Sequence, residues 1–187
     1  MKKSILTVAL CVFFSGSVLA DGHGSMVADA RGVVKQFFGS LKGELEKGMK
    51  TGGPVTAISV CNVKAPMIAE ETGKNSGWQV ARTSLKLRNP ANKPDDWELR
   101  VLNYFEKRKA AGEDVTKMEY SKVVSMDGKQ TFRYMKAIPT AKLCLNCHGT
   151  KLKPEVARSL DELYPEDKAR GYKAGDIRGA FTLQKAL

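Results

Sequence analysis

The stretch YSKVVSMDGKQTFRYMKAI, residues 120–138, decides the fold because it encodes two strands and the tight turn that joins them. Apolar and β-branched side chains recur through Tyr120–Met126 and Gln130–Ile138. Between the two runs stands Asp127-Gly128, a pair that readily adopts the positive φ angles of a hairpin turn. The stretch therefore predicts an antiparallel hairpin.

Further strands and helices are predicted on both sides of this hairpin. Trp78–Leu87 alternates as a strand does, and Ile177–Gln184 is predicted as the final strand. Asp95 is placed to cap a helix, with Glu98 three residues later in a capping-box relation. Pro154–Leu163 is predicted as another helix. We expect an α+β fold with a mostly antiparallel sheet of four to five strands and flanking helices.

The N-terminal part of the chain is predicted to form a long helix followed by a second one. Apolar residues recur at helical spacing over Met26–Met49, Gly52-Gly53 ends that pattern, and Pro54 suits the first turn of the next helix. Pro66 lacks a backbone N–H and clashes with the preceding turn, which predicts a kink or break just after Cys61. One face of this second helix is apolar: Ile58, Cys61, Ala65 and Ile68.

Composition limits the classes of function. The 187 residues are 42% apolar and 27% charged, which excludes wholesale disorder and a multi-span membrane protein. The formal net charge of +11 would suit an acidic partner. However, acidic residues lie between the basic ones, and no arginine cluster is interleaved with aromatic residues. We therefore expect no nucleic-acid partner.

Residues 1–20 have the layout of an export signal that is cleaved. Two lysines precede the apolar run Ile5–Phe14, and Val18-Leu19-Ala20 supplies a cleavage site. The apolar run is too short to span a bilayer, which needs about 20 residues. We expect a periplasmic protein whose residues 21–187 form one domain without a membrane span, starting with a flexible lead over residues 21–25.

The cysteines that remain after cleavage carry the chemistry. Cys61, Cys144 and Cys147 are an odd number of thiols for an oxidising compartment, which calls for a chemical reason. In Cys144-Leu145-Asn146-Cys147-His148, the two thiols can each form a thioether with one vinyl group of a haem. The adjacent His148 can then bind the iron from one side. The motif predicts one covalently attached haem c with His148 as proximal ligand.

The cysteine and histidine side chains could also serve in a zinc site, a disulfide or a redox pair. Cys61, Cys144, Cys147 and His148 together would suit a zinc ion. Cys144 and Cys147 could form a disulfide across a small, strained loop, or a thioredoxin-like redox pair, although that pair needs a βαβ context that the sequence lacks. The export signal favours the haem, because c-type haem is attached outside the cytoplasm.

The ligand on the other face of the iron is less clearly specified. Cys61 would account for the odd cysteine, and it lies on the apolar face of its helix beside the predicted distortion. A small cysteine buried in the core is the ordinary alternative. The other histidine, His23, falls in the expected lead, and Met67 is the methionine nearest to the predicted kink. The residues alone leave these possibilities open.

A resemblance adds to this interpretation. Four segments of the chain, in order, are AISVCNVKAP (57–66), RNPANKPDDWE (88–98), CLNCHG (144–149) and GYKAGDIRGA (171–180). They resemble the c-type haem domains of PAS-like fold, which occur as free periplasmic proteins and as sensor modules of histidine kinases. The resemblance covers nearly all of the mature chain. It implies a low-spin haem with His148 as proximal and Cys61 as distal axial ligand.

A thiolate ligand predicts the use of the haem. Thiolate stabilises ferric iron, so the reduction potential should be low. Reduction weakens the iron–thiolate bond and can free a coordination position. We therefore expect a redox sensor, or a sensor of small gases such as CO or NO, with an unidentified redox or signalling partner.

The alternative function is electron transfer. Lys142, Lys151, Lys153 and Arg158 lie near the motif in the sequence and could dock an acidic partner. We expect no enzymatic activity, because a peroxidase needs an open iron position and a distal acid–base group. Candidates for holding the haem propionates are Arg88, Asn89 and Arg133.

Overall fold

The computed structural model describes residues 17–126 and 128–187. Residues 1–16 of the predicted export signal, and Asp127 of the predicted turn, lie outside the described residues. Ser17 to Ala20, the end of that signal, form the first turn of the first helix. No helix in the described part of the chain is both long enough and apolar enough to cross a membrane.

Four strands form one antiparallel sheet, as the sequence predicts. They are β1 (Gln79–Thr83), β2 (Glu119–Met126), β3 (Lys129–Pro139) and β4 (Ile177–Ala186), in the order β1-β4-β3-β2. The hairpin pairs Tyr120 with Met135, and its register continues to Met126 opposite Lys129. The last strand of the chain inserts between the hairpin and β1. The first strand is shorter than predicted.

The long N-terminal helix α1 spans Ser17–Ser76. Gly52 and Gly53 leave the helical dihedral angles, with φ of +69° at Gly53, so α1 consists of two segments that meet there as predicted. The break predicted after Cys61 is wrong, because the second segment continues through Pro66. Pro66 is exposed, so water can reach the carbonyl group that its missing N–H leaves without a partner.

The expected flexible lead is also corrected, because residues 22–25 belong to α1. His23 Nε2 lies 3.1 Å from Ser121 Oγ on β2, and its ring packs against Phe132. These contacts hold the start of the helix against the hairpin.

Residues 17–126 and 128–187 also contain three shorter helices and three 3-10 turns. Helix α2 (Asp96–Ala110) has the predicted capping box, in which Asp95 and Glu98 each accept the other's backbone N–H. Helix α3 (Leu145–His148) holds the end of the cysteine motif Cys144–His148, and α4 is Pro154–Leu163. The 3-10 turns are Pro90–Asn92, Val115–Lys117 and Lys142–Cys144.

Both faces of the sheet carry apolar clusters. Side chains of β3 alternate between them: Phe132 and Tyr134 pack against α1, whereas Met135 and Ala137 pack with α2. The α1 cluster also includes Val33, Phe37, Leu41, Trp78, Phe181 and Leu183. The α2 cluster also includes Val101, Leu102, Phe105, Met118 and Ala180. The predicted α+β class is confirmed.

Arg133 is a buried charge on the α2 face. It forms ion pairs with Asp95 at 2.7 Å and Glu98 at 3.2 Å, and its guanidinium stacks on Trp97. Thr182 Oγ1 also donates to Glu98. The charged groups of Arg133 and Glu98 therefore compensate each other in the interior.

Replacing Arg133 with alanine is expected to lower the free energy of unfolding by about 3 kcal/mol, because Glu98 would keep a buried charge without its partner. Denaturant unfolding measures the change. The matched control is Lys122→Ala, since Lys122 is exposed and lies opposite Arg133 in the hairpin register. Surface changes of this kind alter stability by less than about 0.5 kcal/mol. Equal losses in the two variants would contradict the role of the pair.

Candidate functional site

The cysteine motif occupies two short helical turns between the end of β3 and the start of α4. The 3-10 turn Lys142–Cys144 leads directly into α3, which Gly149 closes by donating its N–H to Leu145 at 3.0 Å. Backbone bonds fix the motif to the loop before β4: Tyr172 N–H donates to His148 O at 2.9 Å, and Gly171 N–H donates to Gly149 O at 3.0 Å. The motif is thus anchored at its histidine end.

The His148 ring is oriented by a backbone carbonyl group. Its Nδ1 lies 2.7 Å from Ala169 O, so Nδ1 carries the proton and donates it. This leaves Nε2 as the nitrogen with the lone pair, the tautomer of a metal-binding histidine, and Arg178 Nε at 3.3 Å and Arg88 Nη1 at 3.4 Å face it. Burial, followed by the charges of Arg178 and Arg88, lowers the pKa of His148 to about 2. The imidazole is therefore neutral, as a metal ligand must be.

Asp167 holds this carbonyl group in place. It accepts the N–H of Ala169 at 2.8 Å, and it also accepts from Arg88 and Arg170. Although burial opposes the charged form, these donors lower the pKa of its carboxyl group. Asp167 is almost fully buried, so its position is fixed by these bonds rather than by water. Asp167, which sequence reasoning missed, orients His148 through Ala169.

Cys61 is brought to the motif by the second segment of α1. Ile58, nearly one turn earlier, packs with Leu160 and Tyr164 of the α4 region, and Cys147 packs against the same cluster. Burial raises the pKa of the Cys61 thiol, and the nearby charges of three arginines act against this. Cys61, Cys144 and Cys147 are all free thiols, so the disulfide alternative for the motif is not formed.

Three arginines surround these groups, and they differ in their partners. Arg88 pairs with Asp167 at 3.2 Å and also donates to Cys147 O. Arg178 Nε lies 3.1 Å from Nδ1 and 3.3 Å from Nε2 of His148, and its Nη1 donates to Ser84 Oγ. Arg82 reaches the same site from β1, with its guanidinium over the ring of Phe37. Sequence reasoning missed Arg82 as well, although its alternation in β1 places it on the α1 face.

Other candidate residues lie elsewhere. His23 contacts the hairpin, at Ser121 and Phe132, rather than the cysteine motif. Met67 is 55% exposed. Asn89 caps the turn Pro90–Asn92, and Arg133 is engaged with Asp95 and Glu98.

The donor set decides which chemistry the site supports. Among the described residues, no three or more His, Cys, Asp or Glu side chains cluster closely enough to hold a metal ion directly. The zinc alternative needs four such ligands to converge, so the geometry gives it no support. The residues fit a haem better, because thioether cysteines bind the edge of the ring and only the axial ligands meet the iron.

Two comparisons with known proteins found a match for the chain. A family model described as Tll0287-like matches residues 21–185. A solved structure, "Crystal structure of the cyanobacterial heme-protein Tll0287", matches with a TM-score of 0.62 and 24% sequence identity, over 89% of this chain and 96% of that chain. At this identity the likeness shows the fold alone. No curated protein sequence matches the chain significantly.

Proposed function

Because the chain belongs to the Tll0287-like family, we propose that it is a mono-haem c-type protein of the periplasm, with His148 and Cys61 as axial ligands. The observation that carries the proposal is the tautomer of His148: Nδ1 donates to Ala169, so the lone pair of the neutral ring is on Nε2, which Arg88 and Arg178 face in this structure. The cyanobacterial relative is named as a haem protein, which supports the choice of cofactor.

Cys144 and Cys147 would attach the haem through thioethers. Both side chains are half-buried, and the helical turns around them place them ahead of His148 on one short segment. When bound, the haem would supply an iron centre that gains or loses one electron. Ala169 and Asp167 would hold the imidazole against rotation, so that its Nε2 keeps a constant direction.

Cys61 is the distal ligand in this proposal. The packing of Ile58 against the cluster that also meets Cys147 supports it, and so do the arginine charges that favour a thiolate at Cys61. Burial acts in the opposite direction and favours the protonated thiol. Burial is the largest influence and the pKa of the thiol is raised, which suits a ligand that would be released as the neutral thiol.

The preference for the neutral thiol favours sensing of redox state or of CO or NO as the function. If Cys61 dissociated from the iron, its sulfur would take up a proton readily, because burial favours the neutral form. The PAS-like character of the domain, which the sequence resemblance implies, is part of the same proposal. The sheet covered by helices on both faces supports it.

Electron transfer is the second candidate, and one observation favours it. Lys142, Lys151, Lys153 and Arg158 are all exposed on the segments that hold the motif and α4. An acidic partner could meet this surface and exchange electrons through a haem edge.

Absorption spectra of the purified protein, oxidised and reduced, with CO added, test the proposal. We expect a low-spin ferric spectrum with a thiolate signature, and CO binding after reduction. A reduced protein that stays six-coordinate under CO and exchanges electrons quickly with periplasmic proteins would favour the carrier. Absence of any haem spectrum, after expression with the haem maturation machinery, would contradict both.

A further inference from the structure

Two half-buried arginines at the site have no carboxylate partner among the described residues. Arg82 makes no hydrogen bond or ion pair with any described residue; it contacts the ring of Phe37, whose centroid lies 5.9 Å from the guanidinium carbon. Arg178 donates hydrogen bonds to Ser84 Oγ, Lys86 O and Nε2 of His148, all of them neutral groups. The contrast is Arg88, whose charge Asp167 compensates.

Leaving these charges without partners is unfavourable. Both side chains are half-buried, and an arginine keeps its charge at any ordinary pH. Partial removal of water from a charged group is unfavourable unless a counter-ion replaces it. Among the described residues no carboxylate forms an ion pair with either guanidinium group, so a negatively charged ligand would compensate both.

The positions of the two arginines specify where that ligand lies. Arg82 is on β1 and Arg178 is the second residue of the adjacent strand β4, where Thr83 pairs with Ala180. Ser84 joins the two strands at this point by donating to Arg178 O at 2.8 Å. Both guanidinium groups act on Cys61, and Arg178 also touches His148. The two charges therefore flank the proposed iron ligands.

We propose that Arg82 and Arg178 bind the two propionate groups of the haem. This inference rests on the proposed function. It replaces the propionate candidates Arg88, Asn89 and Arg133, which form other ion pairs or hydrogen bonds in the structure. Haem carries two carboxylates on the edge opposite its thioether bonds, and guanidinium is the side chain that pairs carboxylate in two parallel hydrogen bonds.

The charges also balance under this assignment. The porphyrin ring and one thiolate neutralise ferric iron, so two negative propionates remain, and two guanidinium groups match them. Arg82 and Arg178 would then act as positioning residues, which fix the tilt of the ring between His148 and Cys61. They would also raise the reduction potential above that of a neutral pocket, because positive charge near the iron favours its reduction.

Resonance Raman spectra and redox titration of the haem-loaded protein test this assignment. Arg82→Gln and Arg178→Gln should each shift the propionate bending band and lower the reduction potential. Arg100→Gln is the control, since Arg100 is an exposed arginine on α2 and its change removes the same charge. The control should leave the band in place. Arg82→Lys and Arg178→Lys, which keep the charge, should restore most of the potential but not the band.

Each other outcome has a defined meaning. If either glutamine variant retains the wild-type band and potential, that arginine is not a propionate partner and the paired assignment is overturned. If a glutamine variant does not fold, the corresponding lysine variant decides: an unshifted band overturns the assignment. If the wild-type protein carried no covalent haem, the proposed function would be refuted instead. Intact mass measures this separately.

Discussion

Cys61→Ala should give a protein that keeps its covalent haem, turns partly high-spin, binds CO more readily and rises in reduction potential. The substitution removes a negative donor from the iron while leaving both thioether cysteines intact. Axial ligands span a range of about 0.8 V in haem proteins, so a rise on the order of 0.1 V is expected. Visible spectra, CO titration and redox titration of the purified variant measure these changes.

Two further variants define the role of Cys61. Cys61→Met should also raise the potential, because a thioether stabilises ferrous iron better than a thiolate does. Met67→Ala should change little, since Met67 is largely exposed on the same segment of α1. If Cys61→Ala retained the wild-type spectrum and potential, Cys61 would be a core residue only. The sensing proposal would then lose its main support.

Cys144→Ala should lose most of the covalently bound haem. One of the two thioether bonds cannot form without this thiol, and haem maturation depends on the complete motif. Acid–acetone extraction followed by intact mass measurement shows the result: the wild-type chain keeps the mass of one haem, and the variant does not.

The same mass measurement supplies its own control. Cys61→Ala changes the same residue type outside the motif, so it should keep the added mass. The measured mass also shows whether the mature chain begins at Asp21, as cleavage of the export signal predicts. A wild-type mature chain without added haem would refute covalent attachment.

The sequence predicted most of the fold because its strongest signals are local. Asp127-Gly128 between two apolar runs, the capping box of Asp95 and Glu98, and the Gly52-Gly53 break each depend on neighbouring residues. Pro66 shows where this reasoning failed. Proline predicts a break when its surroundings are unknown, but its exposure on the outer face of α1 lets the helix continue.

The site was predictable only where its residues are adjacent in the chain. The motif at Cys144–His148 can be recognised from spacing, whereas Asp167 and Ala169 act on His148 through a loop that has no motif of its own. Arg82 and Arg178 were missed for a related reason. From sequence alone, an arginine in a strand indicates a solvent-exposed face. Only the tertiary contacts show that Arg82 and Arg178 lie at the site without an acidic partner.

The two sides of the site come from distant parts of the chain, since Cys61 precedes the central hairpin and His148 follows it. In the proposed site, His148 could reach the iron within the short segment that would carry the thioethers, even in an unfolded chain. Cys61 could do so only after α1 has docked on α3 and α4. The iron–sulfur bond would therefore add its free energy to folding. Its absorption signature would then follow the slow, long-range step of the folding reaction, whereas the imidazole signal would not.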